Sequence, residues 1–168
     1  MKFFPYSVLI LVFAFAFAAC GGSEQAPESE MEMEVGAEET EITGVSITIQ
    51  PDGDNMMYAE ETITVTAGTE VTLVLENTAT APVMIHNIVV LNSDSDEEAT
   101  RVGMAALAAG EAMDYVPEDD AILAYTPMAN PGETVEVTFT APSEPGNYRF
   151  ICTYTGHFAT MQGVLVVQ

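Results

Sequence analysis

The chain contains only two histidines, His86 and His157, and this pair limits which folds could build a metal site. Cys152 lies five residues before His157, and Met161 lies four residues after it. Thiolate, imidazole and thioether groups suit copper, and two histidines, a cysteine and a weak axial methionine make up a copper site used for electron transfer. A fold that completes this set must bring His86 to Cys152 from a distant part of the chain.

Residues 1–19 have the pattern of a secretory signal peptide. Lys2 is their only charge, residues 7–18 are apolar, and small residues precede Cys20. The apolar run is too short for a comfortable membrane span. The sequence therefore predicts export, with an uncleaved N-terminal helix as the alternative.

Cys20 and the residues around it resemble the lipobox of bacterial lipoproteins, although Phe17 stands where leucine is usual. The resemblance implies a lipid anchor on Cys20, which would hold the protein in the periplasm or at the outer face of the cell membrane. If Cys20 is acylated, Cys152 has no disulfide partner in the chain. A lone cysteine in an oxidising compartment is consistent with a thiolate held by a metal.

The chain carries 26 acidic and three basic residues, a formal net charge of -23. Such a surface repels nucleic acid and anionic lipid head groups and attracts basic partners, although solubility alone would also account for it. Residues 20–43 are rich in glutamate and lack hydrophobic periodicity, so we predict a lipid-anchored, acidic, disordered linker there. Residues 44–168 are the predicted folded domain.

Apolar and polar residues alternate through most of residues 44–168, which is typical of half-buried β-strands. The predicted strands are near residues 45–49, 58–66, 71–76, 84–91, 121–125, 134–139, 148–152 and 164–168. Turn-forming clusters rich in Pro, Gly, Asn and Asp separate many of them. About eight short strands in this pattern predict an all-β fold, an antiparallel Greek-key sandwich of two sheets.

Residues 94–112 break this pattern and predict one short helical insert. Ser93 or Ser95 could cap its start, and we expect Gly103 to interrupt it or Gly110 to end it. Met104 and Leu107 have helical spacing, and we expect their face to pack into the core.

Residues 84–87, Met-Ile-His-Asn, and residues 152–163, Cys-Thr-Tyr-Thr-Gly-His-Phe-Ala-Thr-Met-Gln-Gly, resemble the cupredoxins. The likeness is to the azurins and, in overall plan, to the auracyanins. It extends from about Ser46 to the C-terminus and includes the helical insert. The resemblance implies one type 1 copper per chain, with His86, Cys152 and His157 as trigonal ligands and Met161 as the long axial ligand.

The same resemblance implies that Asn87 braces the ligand loop by hydrogen bonds around Thr153. Two positions depart from the azurin pattern. Ile85 replaces a glycine before the first histidine, and Thr155 replaces a proline in the loop. Thr155 has a backbone N–H that proline lacks, so we expect this group to donate to the sulfur of Cys152 and tune the redox potential.

These features predict a one-electron carrier that cycles between Cu(I) and Cu(II), and not an enzyme, so no catalytic residues are assigned. The resemblance implies a quinol-oxidising complex, cytochromes or a reaction centre as partners, and we expect a monomer. Met84, Phe158 and Pro82 are expected to form an apolar docking patch around His157. The alternatives are an extracytoplasmic copper-binding and delivery protein and a metal-free surface β-sandwich.

Overall fold

The computed structural model describes residues 44–168. The strands are β1 (Val45–Ile49), β2 (Thr62–Val65), β3 (Glu70–Glu76), β4 (Val89–Leu91), β5 (Ile122–Tyr125), β6 (Thr134–Thr140), β7 (Gly146–Ile151) and β8 (Gln162–Val167). One α-helix, α1 (Asp96–Ala109), and two single-turn 3₁₀ helices, Glu111–Met113 and His157–Ala159, complete the regular structure. The predicted signal peptide 1–19, the linker 20–43 and the anchor Cys20 lie outside the described residues.

The strands form two sheets, as the alternating pattern predicted. One sheet has the order β1-β3-β6, and the other has the order β2-β8-β7-β4-β5. The expectation of purely antiparallel pairing was wrong, because β1 pairs parallel with β3 and β2 pairs parallel with β8. Consecutive strands β1 and β2 enter different sheets, so neither can form a hairpin with the other, and each pairs with a strand from elsewhere in the chain.

The core between the sheets comes from side chains at every second position. In β3, Val71, Leu73 and Leu75 are all fully buried. They pack in one cluster with Phe150 of β7 and Leu165 of β8. Because successive side chains of a strand lie on opposite faces, this alternation fixes which face of each sheet lies inside.

A second, smaller core lies on the outer face of the five-stranded sheet, where α1 covers it. Val89 and Leu91 of β4 pack there with Val102 of the helix, in a cluster that also holds Ile151 and Phe158. The buried helix positions are all small or β-branched: Ala99, Val102, Gly103 and Ala106. Met104 is 57% exposed and Leu107 is 41% exposed, so the prediction that their face packs into the core was wrong. Small residues let the helix lie close to the sheet, and this turns the larger apolar side chains outward.

The ends of α1 follow the sequence signals. Ser95 caps its start by accepting a hydrogen bond from the amide of Glu98 at 3.3 Å. Gly110 ends the helix with φ of 62° and ψ of -170°, a positive-φ conformation that is open almost only to glycine. Gly103 does not interrupt the helix but lies buried within it. No helix among residues 44–168 is both long enough and apolar enough to cross a membrane.

Gly103→Ala should destabilise the protein, although alanine is the better helix former by about 1 kcal/mol. A Cβ atom at position 103 would lie 2.2 Å from Cγ of Phe158, far inside contact distance. Overpacking of this kind costs about 1–3 kcal/mol, and the severity of the overlap favours the upper end. We expect a net loss of about 2 kcal/mol in the free energy of unfolding by urea titration. The same change in a Phe158→Ala background, which lacks the three overlapping atoms, should cost less, and a more stable single variant would contradict the packing described.

Two strands are shorter than predicted. Of the predicted strand 84–91, only Val89–Leu91 forms a β-strand. Of the predicted strand 58–66, only Thr62–Val65 does. The residues before each strand make isolated bridges instead, His86 with Ala129 and Tyr58 with Pro51. These irregular segments place His86 and Tyr58 near the end of the sandwich where the candidate site lies.

Candidate metal centre

The loop that connects β7 to β8 holds three of the predicted ligands. Cys152 follows β7 directly, and Met161 directly precedes β8. The amide of Cys152 donates to the carbonyl of Met161 at 3.0 Å, so the antiparallel ladder continues one step into the loop. The amide of Met161 then donates to the carbonyl of His157 at 2.8 Å. Backbone hydrogen bonds therefore fix the spacing of all three residues.

His86 reaches the same place from the segment before β4. Its amide donates to the carbonyl of Ala129 at 3.1 Å, and the amide of Ala129 donates back at 2.8 Å. The side chain of Asn77 holds this segment, because its Nδ2 donates to the carbonyls of Met84 and Ala129, each at 2.8 Å. Asn77 is fully buried. Its role could not be predicted from sequence, since an asparagine before a proline-containing stretch indicates only a turn.

The side-chain donors of His86, Cys152 and His157 meet inside the protein. The Sγ atom of Cys152 lies 3.8 Å from Nδ1 of His86 and 3.7 Å from Nδ1 of His157. The two Nδ1 atoms are 3.3 Å apart, and all three donor atoms lie within 4.8 Å of one another. The three side chains and that of Met161 are buried. Among the described residues, Nε2 of His86 has no hydrogen-bond partner, so Nδ1 is the nitrogen with polar neighbours.

Burial sets the protonation of the three groups. It raises the pKa of the Cys152 thiol to about 12, although the backbone amides of Asn87 and Tyr154 favour the thiolate. Burial, and then the neighbouring His157, lower the pKa of His86 to about 4. Burial also lowers the pKa of His157. Both imidazoles are therefore neutral near pH 7 with a free nitrogen to offer, and a bound cation would favour loss of the thiol proton.

Asn87 ties the two parts of the site together. Its Oδ1 accepts a hydrogen bond from the amide of Thr153 at 2.8 Å, and its Nδ2 donates to Oγ1 of Thr153 at 2.9 Å. Both residues are fully buried. The phenol of Tyr58, also buried, donates to the carbonyl of Asn87 at 2.5 Å. The role of Tyr58 was likewise not predictable from sequence, since an aromatic residue near a strand usually indicates core packing alone.

The amides that act on the sulfur of Cys152 belong to Asn87 and Tyr154. Thr155, which was expected to supply this hydrogen bond, is exposed, and its amide is not one of the two. The loop turns at Gly156, where φ is 80°. The tuning of the redox potential by Thr155 stays a prediction, and the amide of Tyr154 is the one in this loop that favours the thiolate of Cys152.

One of the residues expected in the apolar docking patch, Phe158, is not at the surface. Phe158 is only 9% exposed and lies against Gly103 of α1, so it cannot form part of an open patch. Met84 is half-buried, and Pro82 is exposed. The cause is the helical insert, which covers the ring that would otherwise face solvent.

The donor set and its surroundings fit a copper ion. Two imidazole nitrogens and one thiolate sulfur, with a buried thioether following on the same loop, are the soft and borderline ligands that copper prefers. Burial excludes water from the donors, and the hydrogen bonds of Asn87 keep the two segments in place.

The chain matches known proteins over this domain. Residues 45–168 match the sequence model of a family described as copper binding proteins, plastocyanin/azurin family. Auracyanin-A of Chloroflexus aurantiacus is 42% identical over 124 residues, which cover 73% of this chain and 74% of that protein. Azurin iso-2 of Methylomonas sp. (strain J) is 32% identical over 126 residues, covering 72% of this chain and 96% of that protein.

A solved structure shares the fold. Auracyanin A of Chloroflexus aurantiacus, described as a "blue" copper protein, superposes with a TM-score of 0.69. The sequences are 41% identical in this alignment, which covers 74% of this chain and 99% of that one. The two sheets and the helical insert therefore have a counterpart of known structure.

Proposed function

Since this chain belongs to the plastocyanin/azurin family of copper-binding proteins, we propose that the side chains meeting at the β7–β8 loop bind its copper ion. The proposed ligands are His86, Cys152, His157 and Met161. Three buried donor atoms within 4.8 Å of one another are the observation that carries this assignment. Like its relatives, the protein is a blue copper electron-transfer protein.

Copper supplies the exchange of one electron between its Cu(II) and Cu(I) states. The protein contributes metal-binding side chains that are held in place and shielded from water. The ladder hydrogen bonds of Cys152 and Met161, and the Asn87–Thr153 pair, hold the ligand loop against the segment of His86. A ligand set that is braced in this way moves little when the charge of the site changes, which favours rapid electron exchange.

The finer points of the function are also proposals. We infer export with removal of residues 1–19 and a lipid anchor on Cys20, from the apolar run and the small residues before that cysteine. The proposed partners are a membrane-bound quinol-oxidising complex, cytochromes or a reaction centre. The net charge of -23 supports partners with basic surfaces, and we expect a monomer.

Reversible cycling without metal loss tests the carrier function. Copper-loaded protein should give a stable midpoint potential over repeated oxidation and reduction in film voltammetry, with about one copper per chain before and after. It should also keep its copper for hours beside a moderate chelator in excess. Rapid transfer of copper to the chelator in either oxidation state would instead support delivery, and failure to bind copper would overturn both functions.

A further inference from the structure

A row of aromatic rings connects the proposed copper site to the surface. The ring centroids of His86 and His157 are 5.1 Å apart, and those of His157 and Tyr154 are also 5.1 Å apart. Tyr154 then meets Tyr115 edge to face, with centroids at 5.2 Å. The last three rings lie within the range in which aromatic side chains attract one another. Tyr115 is half-buried, so the row ends at solvent.

The backbone around Tyr115 has an unusual conformation. Asp114 and Tyr115 have φ values of 49° and 53°, and they are the only residues other than glycine with positive φ among those described. The amide of Tyr115 donates to the carbonyl of Gly110 at 2.9 Å, which holds this turn closed after the helical insert. Strained conformations of this kind occur most often at functional sites. Here the strained turn carries the tyrosine whose ring lies against Tyr154.

Both tyrosines line a surface cavity of about 350 Å³. Its lining residues are Ile85, Glu111, Asp114, Tyr115, Met128, Asn130 and Tyr154. Its walls combine two tyrosine rings and two apolar side chains with two carboxylates and one amide, and most of the surface that they expose to the cavity is polar. Cavities of about 300–1,000 Å³ are the usual size for sites that bind small groups.

The charge around this cavity is negative and uncompensated. Arg101 and Arg149 are the only arginine or lysine residues from position 44 onward. Both are engaged elsewhere: Arg101 pairs with Asp119 and Glu98, and Arg149 pairs with Asp94 and Asp96. Within residues 44–168, Glu111 and Asp114 form no ion pair. Aromatic rings beside free carboxylates attract a cation both through the ring faces and through charge.

We propose that this cavity receives an arginine or lysine side chain of the redox partner, and that the Tyr115–Tyr154 pair connects the docked partner with His157. The inference deepens the proposed function and depends on it. The donor loses one electron, the copper site gains it, and no bond forms or breaks. Tyr115 and Tyr154 lie between the two centres without being oxidised themselves. Because Phe158 lies buried beneath α1, the expected apolar patch is incomplete, and the turn that follows this helix supplies Tyr115 instead.

The first test measures binding alone. An amidated tetra-arginine peptide would be titrated into the reduced, copper-loaded protein and into copper-free protein, followed by NMR of the tyrosine rings. We expect saturable shifts at Tyr115 and Tyr154 in both forms. Tyr115→Leu should weaken binding about two- to fivefold, whereas Tyr115→Phe should retain it. Shifts confined to other acidic regions, with Tyr115 unmoved, would overturn the proposal.

Charge variants control for unspecific attraction. Glu111→Gln with Asp114→Asn removes both carboxylates of the cavity, and asparagine tolerates the left-handed conformation at position 114. Glu70→Gln with Glu144→Gln removes the same charge from exposed positions near the opposite end of the sandwich. The first pair should weaken peptide binding at least about threefold more than the second. Equal weakening by the two pairs would contradict a specific site.

The second test measures electron exchange with a basic c-type cytochrome at low ionic strength. Tyr115→Leu should lower the bimolecular rate about threefold or more, with an unchanged reduction potential and visible spectrum. An unchanged rate in Tyr115→Leu would overturn the docking site but leave the carrier function intact. If the copper protein fails to cycle at all, the peptide titration still tests the cavity.

Discussion

Cys152→Ser should abolish the intense visible absorption of the copper-loaded protein. That absorption requires charge transfer from a thiolate to Cu(II), and Cys152 is the one cysteine within residues 44–168. The serine hydroxyl is close to the thiol in size, and it can accept the hydrogen bonds that the amides of Asn87 and Tyr154 direct at position 152. We therefore expect the variant to fold and to be colourless, as checked by circular dichroism and by absorption after addition of Cu(II).

Cys20→Ser is the matched control for this experiment, since Cys20 is the only other cysteine in the chain. It should retain the full absorption per copper. A coloured Cys152→Ser protein, or a colourless Cys20→Ser protein, would show that the thiolate ligand has been assigned to the wrong residue.

Asn87→Ala should cost about 2–4 kcal/mol in the free energy of unfolding. The substitution leaves the amide of Thr153 buried without an acceptor, and a group left in this state costs about 1–3 kcal/mol. It also removes the hydrogen bond between Nδ2 and Oγ1 of Thr153, worth about 1 kcal/mol. Urea unfolding of the copper-free protein measures the loss without a contribution from metal binding.

Asn92→Ala is the matched control. Asn92 is exposed, and its Nδ2 donates to the carbonyl of Asp120 at 3.1 Å, so its loss should cost no more than about 0.5 kcal/mol. Equal losses in the two variants would contradict the bracing role of Asn87. In the copper-loaded protein, Asn87→Ala should also shift the reduction potential, because the restraint on Thr153 beside the Cys152 sulfur is lost.

The parts of the site that sequence predicted are those fixed by local spacing. The intervals from Cys152 to His157 and from His157 to Met161 lie within one loop, and His86 is the only other histidine available. The strands of the core could also be predicted, because Val71, Leu73 and Leu75 are β-branched or aliphatic residues at every second position. A period of two carries no information on strand direction, so the parallel pairs β1–β3 and β2–β8 could not be read from it.

The errors come from contacts between distant residues. The burial of Phe158 depends on Gly103, a contact that nothing in the loop sequence indicates. The outward placement of Met104 and Leu107 follows from the close approach of α1 to the sheet, for which the small side chains of the other face are required. A hydrophobic pattern predicts that the large apolar side chains of a helix are buried. That prediction fails for α1, where small side chains face the sheet and set the distance between helix and sheet.

The described domain begins and ends at one pole of the sandwich. Val45 and Gln168 line the same small cavity, together with Val65. In the β7–β8 pair, Gly146 lies opposite Val167 at this pole, whereas Ile151 lies opposite Gln162 at the other pole, beside Cys152. Any upstream segment therefore joins the domain at the pole farthest from the ligands. Because both ends of the described domain lie at that pole, the metal-binding pole carries no chain end, and successive redox partners can approach the same surface.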